Sequence, residues 1–238
     1  QINWTVDTTL LGIISGTAAT AIYGVGSQIN QYYMALSTSI SGVFTPQINR
    51  IVARGEGEEQ LTKLFTRVGR IQFMLLMLVL TGFVFVGEPF ICAWGGEEYG
   101  AAYWIALLLI APVTVPLIQN IGIEIQRAKN MHQFRSKVYF CMAIGNALVS
   151  IPLGMKFGGI GCALGTAISM VVGNGFIMNW YYQTHIGLDM HYFWKHILSI
   201  VPAMLPAVAL GIIAVRLHTF TGYAGVVTFA VPYAAVYA

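Results

Sequence analysis

The sequence predicts an all-α fold: an antiparallel bundle of transmembrane helices in a polytopic membrane protein. Three observations predict it. Only 9% of the 238 residues are charged, 57% are hydrophobic, and the mean hydropathy is +0.71. A soluble domain carries roughly 25% charged residues, and so few charges do not cover a water-facing surface of this size. Second, apolar stretches close to the 20 or so residues that span a bilayer recur along the chain. Third, the charge of the connecting segments alternates. These stretches must be helical, because an isolated strand in lipid leaves its backbone unpaired. The same composition excludes disorder, which needs low hydrophobicity. It also argues against a nucleic-acid partner, since the net charge of +3 comes from scattered sites and not from one basic face.

The candidate spans are 1–16, 22–46, 70–93, 102–125, 135–156, 161–183, 196–217 and 224–238, the first and last incomplete. Both ends fall within helix-like stretches, so the chain reads as part of a longer protein. Arg50, Arg54, Lys63, Arg67 and Arg70 follow the second span; Arg127, Lys129, Arg135 and Lys137 follow the fourth; Lys195 precedes the seventh. Between these lie connections with only Lys156 and Arg216, and the turn after the third span holds Glu97 and Glu98. Positive charge collects on the cytoplasmic side of membrane proteins, which assigns 50–70, 126–137 and 186–195 inside and 95–100 and 157–160 outside.

Individual elements carry further signals. In 59–70 the apolar residues Leu61, Leu64, Phe65 and Val68 share one helical face, with Lys63, Arg67 and Arg70 off it. Two readings stay open: an amphipathic helix lying on the inner leaflet, or an amino-terminal extension of the third span. Pro112 and Pro116 fall within one span and Pro202 and Pro206 within another, so both are expected to kink. Gly161, Gly165, Ser169 and Gly173 recur every four residues, a small-residue stripe that admits a close helix neighbour. The glycine run 158–165 opens a hydrophobic span and lacks the βαβ setting of a nucleotide loop.

Ionisable and polar groups within spans are the candidate functional residues. Asp7 lies in the first span with Asn3 one turn before it. The second span carries Ser27, Gln28, Asn30, Gln31, Ser37, Thr38, Ser39, Ser41 and Thr45, a face that lipid does not tolerate. It either bonds to other helices or lines a cavity, and the residue types alone do not choose. Pro116, Asn120, Glu124 and Arg127 share a face that descends toward the cytoplasmic end, with Glu124 and Arg127 spaced for an ion pair. No cofactor or metal is implied: Cys92, Cys141 and Cys162 have no ligand spacing, and His191 and His196 sit in an aromatic-basic belt with Tyr192, Trp194 and Lys195. No nucleophile, base and acid can be assembled into a catalytic set.

The order of features carries a resemblance. Asp7-Thr8-Thr9-Leu10-Leu11-Gly12 and Ala21-Ile22-Tyr23 are followed by the polar span ending at Pro46 and by Arg54-Gly55-Glu56. Then come the Leu61/Leu64 helix, Gln126-Arg127-Ala128-Lys129-Asn130 and the run from Gly158 to Ala167. This succession resembles the carboxy-terminal half of bacterial oligosaccharide flippases of the polysaccharide-biosynthesis family, in the multidrug/oligosaccharidyl-lipid/polysaccharide exporter superfamily. The resemblance is best over 1–190. It implies two six-helix lobes around a central cavity, with 1–185 a carboxy-terminal lobe whose first helix is truncated and 186–238 additional helices, the last truncated. It implies alternating access that carries an undecaprenyl-pyrophosphate-linked sugar across the bacterial cytoplasmic membrane. The implied partners are membrane lipids, the lipid-linked oligosaccharide and the missing amino-terminal lobe.

The resemblance makes Asp7, Gln28, Gln31, Asn120, Glu124 and Arg127 the candidate cavity residues. Family members use cationic cavity residues for phosphate; no Lys or Arg falls in mid-span here, so that role is expected of the missing half or of Arg127. A cation-coupled multidrug antiporter of the same superfamily and a membrane glycosyl- or acyltransferase are the alternative readings. The topology has a direct test: in intact cells, a cysteine placed at Gly96 should react with an impermeant thiol reagent and one at Gly57 should not. The reverse labelling pattern would invert the assignment.

Overall fold

The structure, a computed structural model, describes residues 11–12, 16–55, 57–218, 220 and 222–237. Among these residues it is helical throughout, with no strand. The helices are α1 (Gly16–Arg54), α2 (Glu58–Gly95), α3 (Ala102–Ile118), α4 (Ile121–Ala128), α5 (Gln133–Met170), α6 (Met190–Leu198), α7 (Val201–Leu217) and α8 (Gly222–Tyr237). A short 3-10 turn, Glu97–Tyr99, joins α2 to α3. After α5 the chain continues as wider π-helical turns, Val171–Met178 and Tyr182–Ile186.

By length and composition, three helical segments are long and apolar enough to cross a membrane: Glu58–Gly95, Gln133–Ile186 and Met190–Leu217. The pair α3 and α4, bent by 43°, makes a fourth if taken together. The α1 helix is 39 residues long but does not belong to this apolar set. Its polar residues account for that, and Ser27, Asn30, Ser37 and Ser41 among them are buried in the protein.

The segment Gln133–Ile186 has 54 residues. As one straight rod it would be roughly 80 Å long, more than twice the hydrocarbon thickness. It folds back instead at Gly158, whose φ of 59° and ψ of −136° suit a residue without a Cβ. Contacts recede symmetrically from that point. Ser150 Oγ donates to the Cys162 carbonyl at 3.4 Å, Thr166 Oγ1 to Asn146 Oδ1 at 3.2 Å, and the Tyr139 hydroxyl to Asn174 Oδ1 at 2.9 Å. Two antiparallel arms result. A Cβ at Gly161 would overlap the Leu153 backbone, one at Gly165 would overlap Ser150, and one at Gly173 would overlap Met142. Ser169 is buried on the same arm.

The charged start of α2 is not a separate helix on a membrane surface. It is the first third of one continuous 38-residue helix. Leu61, Leu64, Phe65 and Val68 are buried within the protein core, so their apolar face has a protein partner in place of lipid. Phe65 packs on Phe193 at 4.6 Å between ring centroids and on Tyr182 at 5.9 Å. The backbones approach closely there, because a Cβ at Gly69 would press on the Phe193 ring and the Ile118 carbonyl. Lys129 Nζ ties the same end together, donating to the Ile186 carbonyl at 2.7 Å and reaching Glu58 Oε1 at 3.5 Å. Asp189 caps α6 by accepting from the Tyr192 backbone N–H at 2.8 Å. The basic connections thus gather at one end of the bundle.

Prolines act differently from expectation. The bend after α3 falls at Gln119–Asn120, beyond Pro116, where the backbone tightens to 3-10-type bonds: Asn120 N to Leu117 O at 3.2 Å and Gly122 N to Gln119 O at 2.8 Å. Pro202 lies in the first turn of α7 and starts that helix, where its missing N–H costs nothing, so the interruption precedes it at Ser199–Ile200. Beyond α7, α8 packs on α2 through Phe229 and Tyr233 around Phe85, and the Tyr233 hydroxyl donates to Thr81 Oγ1 at 2.8 Å.

Close packing of the hairpin gives a contrast between two glycines. Gly165→Leu should destabilise the detergent-solubilised protein by at least about 1–3 kcal/mol, the usual cost of overpacking. Gly145→Ala, at a helical site with nothing within 4 Å of the added Cβ, should leave the thermal unfolding midpoint the same or slightly higher. Equal midpoints for the two variants would refute the close approach.

Candidate functional site

A groove of about 560 Å³ lies between α1, the α3–α4 bend and the first arm of the hairpin. Its walls are mostly apolar, with Met34, Val113, Pro116 and Phe140 among them. The polar groups that reach it are Thr38, Asn120, Ser136, Tyr139 and Arg135. An apolar cleft with a few convergent polar groups is the usual form of a small-molecule or lipid site.

The Arg135 side chain is held in place. Its guanidinium donates to the Tyr139 hydroxyl at 2.7 Å and to the Tyr182 hydroxyl at 3.4 Å, and lies 4.6 Å from the Tyr139 ring centroid. Tyr139 in turn donates to Asn174 Oδ1 on the opposite arm. Among the described residues no carboxylate pairs with Arg135, so its positive charge stands uncompensated at the groove. The spacing of Arg135 and Tyr139, one helical turn apart, was available in the sequence, but Arg135 was counted there with the loop charges.

The other candidate residues are placed as follows. Asp7 lies outside the described residues. Asn120 reaches the groove from the bend. Glu124 and Arg127 form an ion pair at 2.7 Å on α4, with the Arg127 side chain 66% exposed; neither lines the groove. Gln28 is half-buried and Gln31 exposed, both away from the groove lining. The polar face of α1 divides in two. Ser37 and Ser41 accept from Gln72 Nε2 at 3.0 and 2.8 Å, while Ser37 Oγ donates to the Leu117 carbonyl at 2.8 Å beside the bend. Tyr33 bonds Thr114 Oγ1 at 2.8 Å and the Leu76 carbonyl at 3.1 Å. Thr38 alone of these reaches the groove.

Asn179 anchors the bend from the far side. Its Oδ1 accepts from Gln119 Nε2 at 3.0 Å and from Trp194 Nε1 at 2.8 Å, and its Nδ2 donates to the Asn174 carbonyl at 2.8 Å. One side chain therefore couples the α3–α4 bend, the second hairpin arm and α6. Periodicity gave no hint of this role. Among the described residues no group of three or more His, Cys, Asp or Glu side chains could hold a metal ion.

No family model matches the chain. In sequence it is 26% identical over 174 residues to Probable flippase AglR of Haloferax volcanii, a match that covers 71% of this chain and 36% of that protein. In structure it matches Lipid II flippase MurJ in an inward closed conformation, with a TM-score of 0.69 and 17% identity, over 100% of this chain and 50% of that one. The chain thus spans about a third of the sequence relative and half of the structural one. Both of these proteins are flippases by name, and neither is a glycosyl- or acyltransferase. The chain is thus a multi-pass membrane protein, similar in sequence to a probable flippase and sharing its fold with half of a lipid II flippase.

Proposed function

We propose that this chain is the carboxy-terminal lobe of a flippase that carries a polyprenyl-pyrophosphate-linked oligosaccharide across the bacterial cytoplasmic membrane by alternating access. Its amino-terminal lobe lies outside this sequence, and the cargo serves surface polysaccharide assembly. The observation that carries the reading is Arg135: a guanidinium without a carboxylate partner among the described residues, oriented by two tyrosines, at a largely apolar groove. A pyrophosphate-linked polyprenol needs both features, a cation for the head and apolar walls for the first isoprene units. Guanidinium suits phosphate because its planar fork donates two parallel hydrogen bonds.

The remaining candidates take supporting parts. Arg127 is the exposed cation at the same end, and Glu124 holds it until phosphate replaces the carboxylate. Asn120 donates to the head from the bend. Asp7, Gln28 and Gln31 line the cavity once the second lobe encloses it.

The test uses the full-length protein in a reconstituted flipping assay. Arg135→Gln should lower the flipping rate by roughly 10- to 100-fold, the worth of a charge-assisted hydrogen bond to phosphate, with insertion and thermal stability unchanged. Arg135→Lys should restore it in part, and Arg127→Gln should cost less than Arg135→Gln. A well-folded Arg135→Gln variant that flips at the normal rate would overturn the assignment.

A further inference from the structure

A second basic site lies where the start of α2 meets α6, and it shares no lining residue with the groove. It is a pocket of about 280 Å³. Lys63, Arg67 and Arg70 border it from one face of α2, at positions i, i+4 and i+7, and so span roughly 10 Å along the helix axis. Glu59 pairs with Lys63 at 2.6 Å, which lowers the carboxyl pKa and raises that of the ammonium. Arg67 and Arg70 have no acidic partner among the described residues, and no carboxylate lines the pocket. From α6, His196 Nδ1 donates to the Tyr192 carbonyl at 2.8 Å, and the two rings pack at 4.0 Å. That bond assigns the proton to Nδ1 and leaves Nε2 available.

Two further features point to a ligand. Thr66 lines the pocket, the residue is only 3% exposed, and its Oγ1 is buried beside it with no hydrogen-bond partner among the described residues. A buried hydroxyl in that state favours an incoming acceptor. The pocket is also asymmetric along α2. Its basic part ends at Arg70, and the next turn supplies Ile71 and Met74, 37% and 41% exposed, followed by exposed Leu75. Charge therefore gives way to apolar surface along the direction in which the helix enters the spanning region.

We propose that this pocket binds the phosphate of an anionic glycerophospholipid, with Arg67 and Arg70 on the headgroup, Thr66 donating to a phosphate oxygen, and the acyl chains lying along Ile71 and Met74. A free phosphate satisfies the arginines and Thr66 but leaves the apolar end unused; a phospholipid matches both ends. The bound lipid would brace the junction of α2 and α6 at the cytoplasmic leaflet. The inference needs only the membrane setting and holds whatever the groove carries.

The experiment is native mass spectrometry of the full-length protein titrated with phosphatidylglycerol, phosphatidylcholine or inorganic phosphate. The unsubstituted protein should retain phosphatidylglycerol with about tenfold preference over phosphatidylcholine. Arg67→Gln/Arg70→Gln should abolish the preference, Arg67→Lys/Arg70→Lys should keep part of it, and Thr66→Val should weaken it. Photoactivatable phosphatidylglycerol should crosslink to peptides containing Met74 or Tyr192 in the unsubstituted protein, a readout that does not depend on any variant folding. No preference, a preference that survives Arg67→Gln/Arg70→Gln, or crosslinks only elsewhere would each overturn the site. Displacement of the lipid by millimolar inorganic phosphate would reassign it to a free anion and overturn the lipid proposal.

Discussion

The close approach of the two arms that meet at Gly158 is the constraint on which the groove depends. Without side chains at Gly161, Gly165 and Gly173, the backbone of one arm packs directly on the other arm, and Tyr139 comes within hydrogen-bond distance of Asn174. That bond fixes the ring against which Arg135 is held. A hairpin opened by even one methyl group along this seam would release Tyr139, and the guanidinium would lose its orientation. In lipid there is little hydrophobic force to pull apolar helices together, so close packing and interhelical hydrogen bonds do that work.

The second requirement is that the backbone and polar groups around the α3–α4 bend find partners in the protein. The α3–α4 bend disturbs the helical ladder, and the disturbed region is met from several sides: Ser37 donates to the Leu117 carbonyl, and Asn179 accepts from Gln119. On the polar face of α1, Tyr33, Ser37 and Ser41 bond to neighbouring helices, Ser27, Thr38 and Ser39 bond to their own backbone, and Thr38 opens to the groove. Hydrogen bonding and cavity lining are not alternatives for α1; they belong to adjacent strips of the same helix. The bend also turns α4 so that Asn120 reaches the groove while Glu124 and Arg127 pair outside it.

Positive charge at this end of the bundle is divided between sites that differ in burial. Arg135 is partly enclosed and supported by aromatic hydroxyls, whereas Arg67 and Arg70 stand on an exposed helix face above apolar residues. The first arrangement suits a headgroup drawn into a cleft. The second suits a lipid that stays in its leaflet. Lys129 and Lys63 are committed to Glu58 and Glu59, so they contribute less free charge than their number suggests.

The features that the sequence determined by itself are one-dimensional. Apolar runs and a low charged fraction establish a helical membrane bundle, because lipid forces backbone bonding within each segment. Alternating charge orders the loops, and the segments 50–70, 126–137 and 186–195 do meet at one end, through Glu58, Thr62, Lys129, Ile186 and Asp189. The spans 135–156 and 161–183 left a gap, and the fold-back at Gly158 falls in it. Tertiary structure decided which way side chains point. The face formed by Leu61, Leu64, Phe65 and Val68 is apolar whether it meets lipid or protein, and only the rings of Phe193 and Tyr182 settle that. Arg135 looks like one loop charge among several until the hairpin and the bend place it at a groove. Helix rotation and a 43° bend are set by contacts between segments distant in the chain, and those contacts leave no periodic trace in either partner.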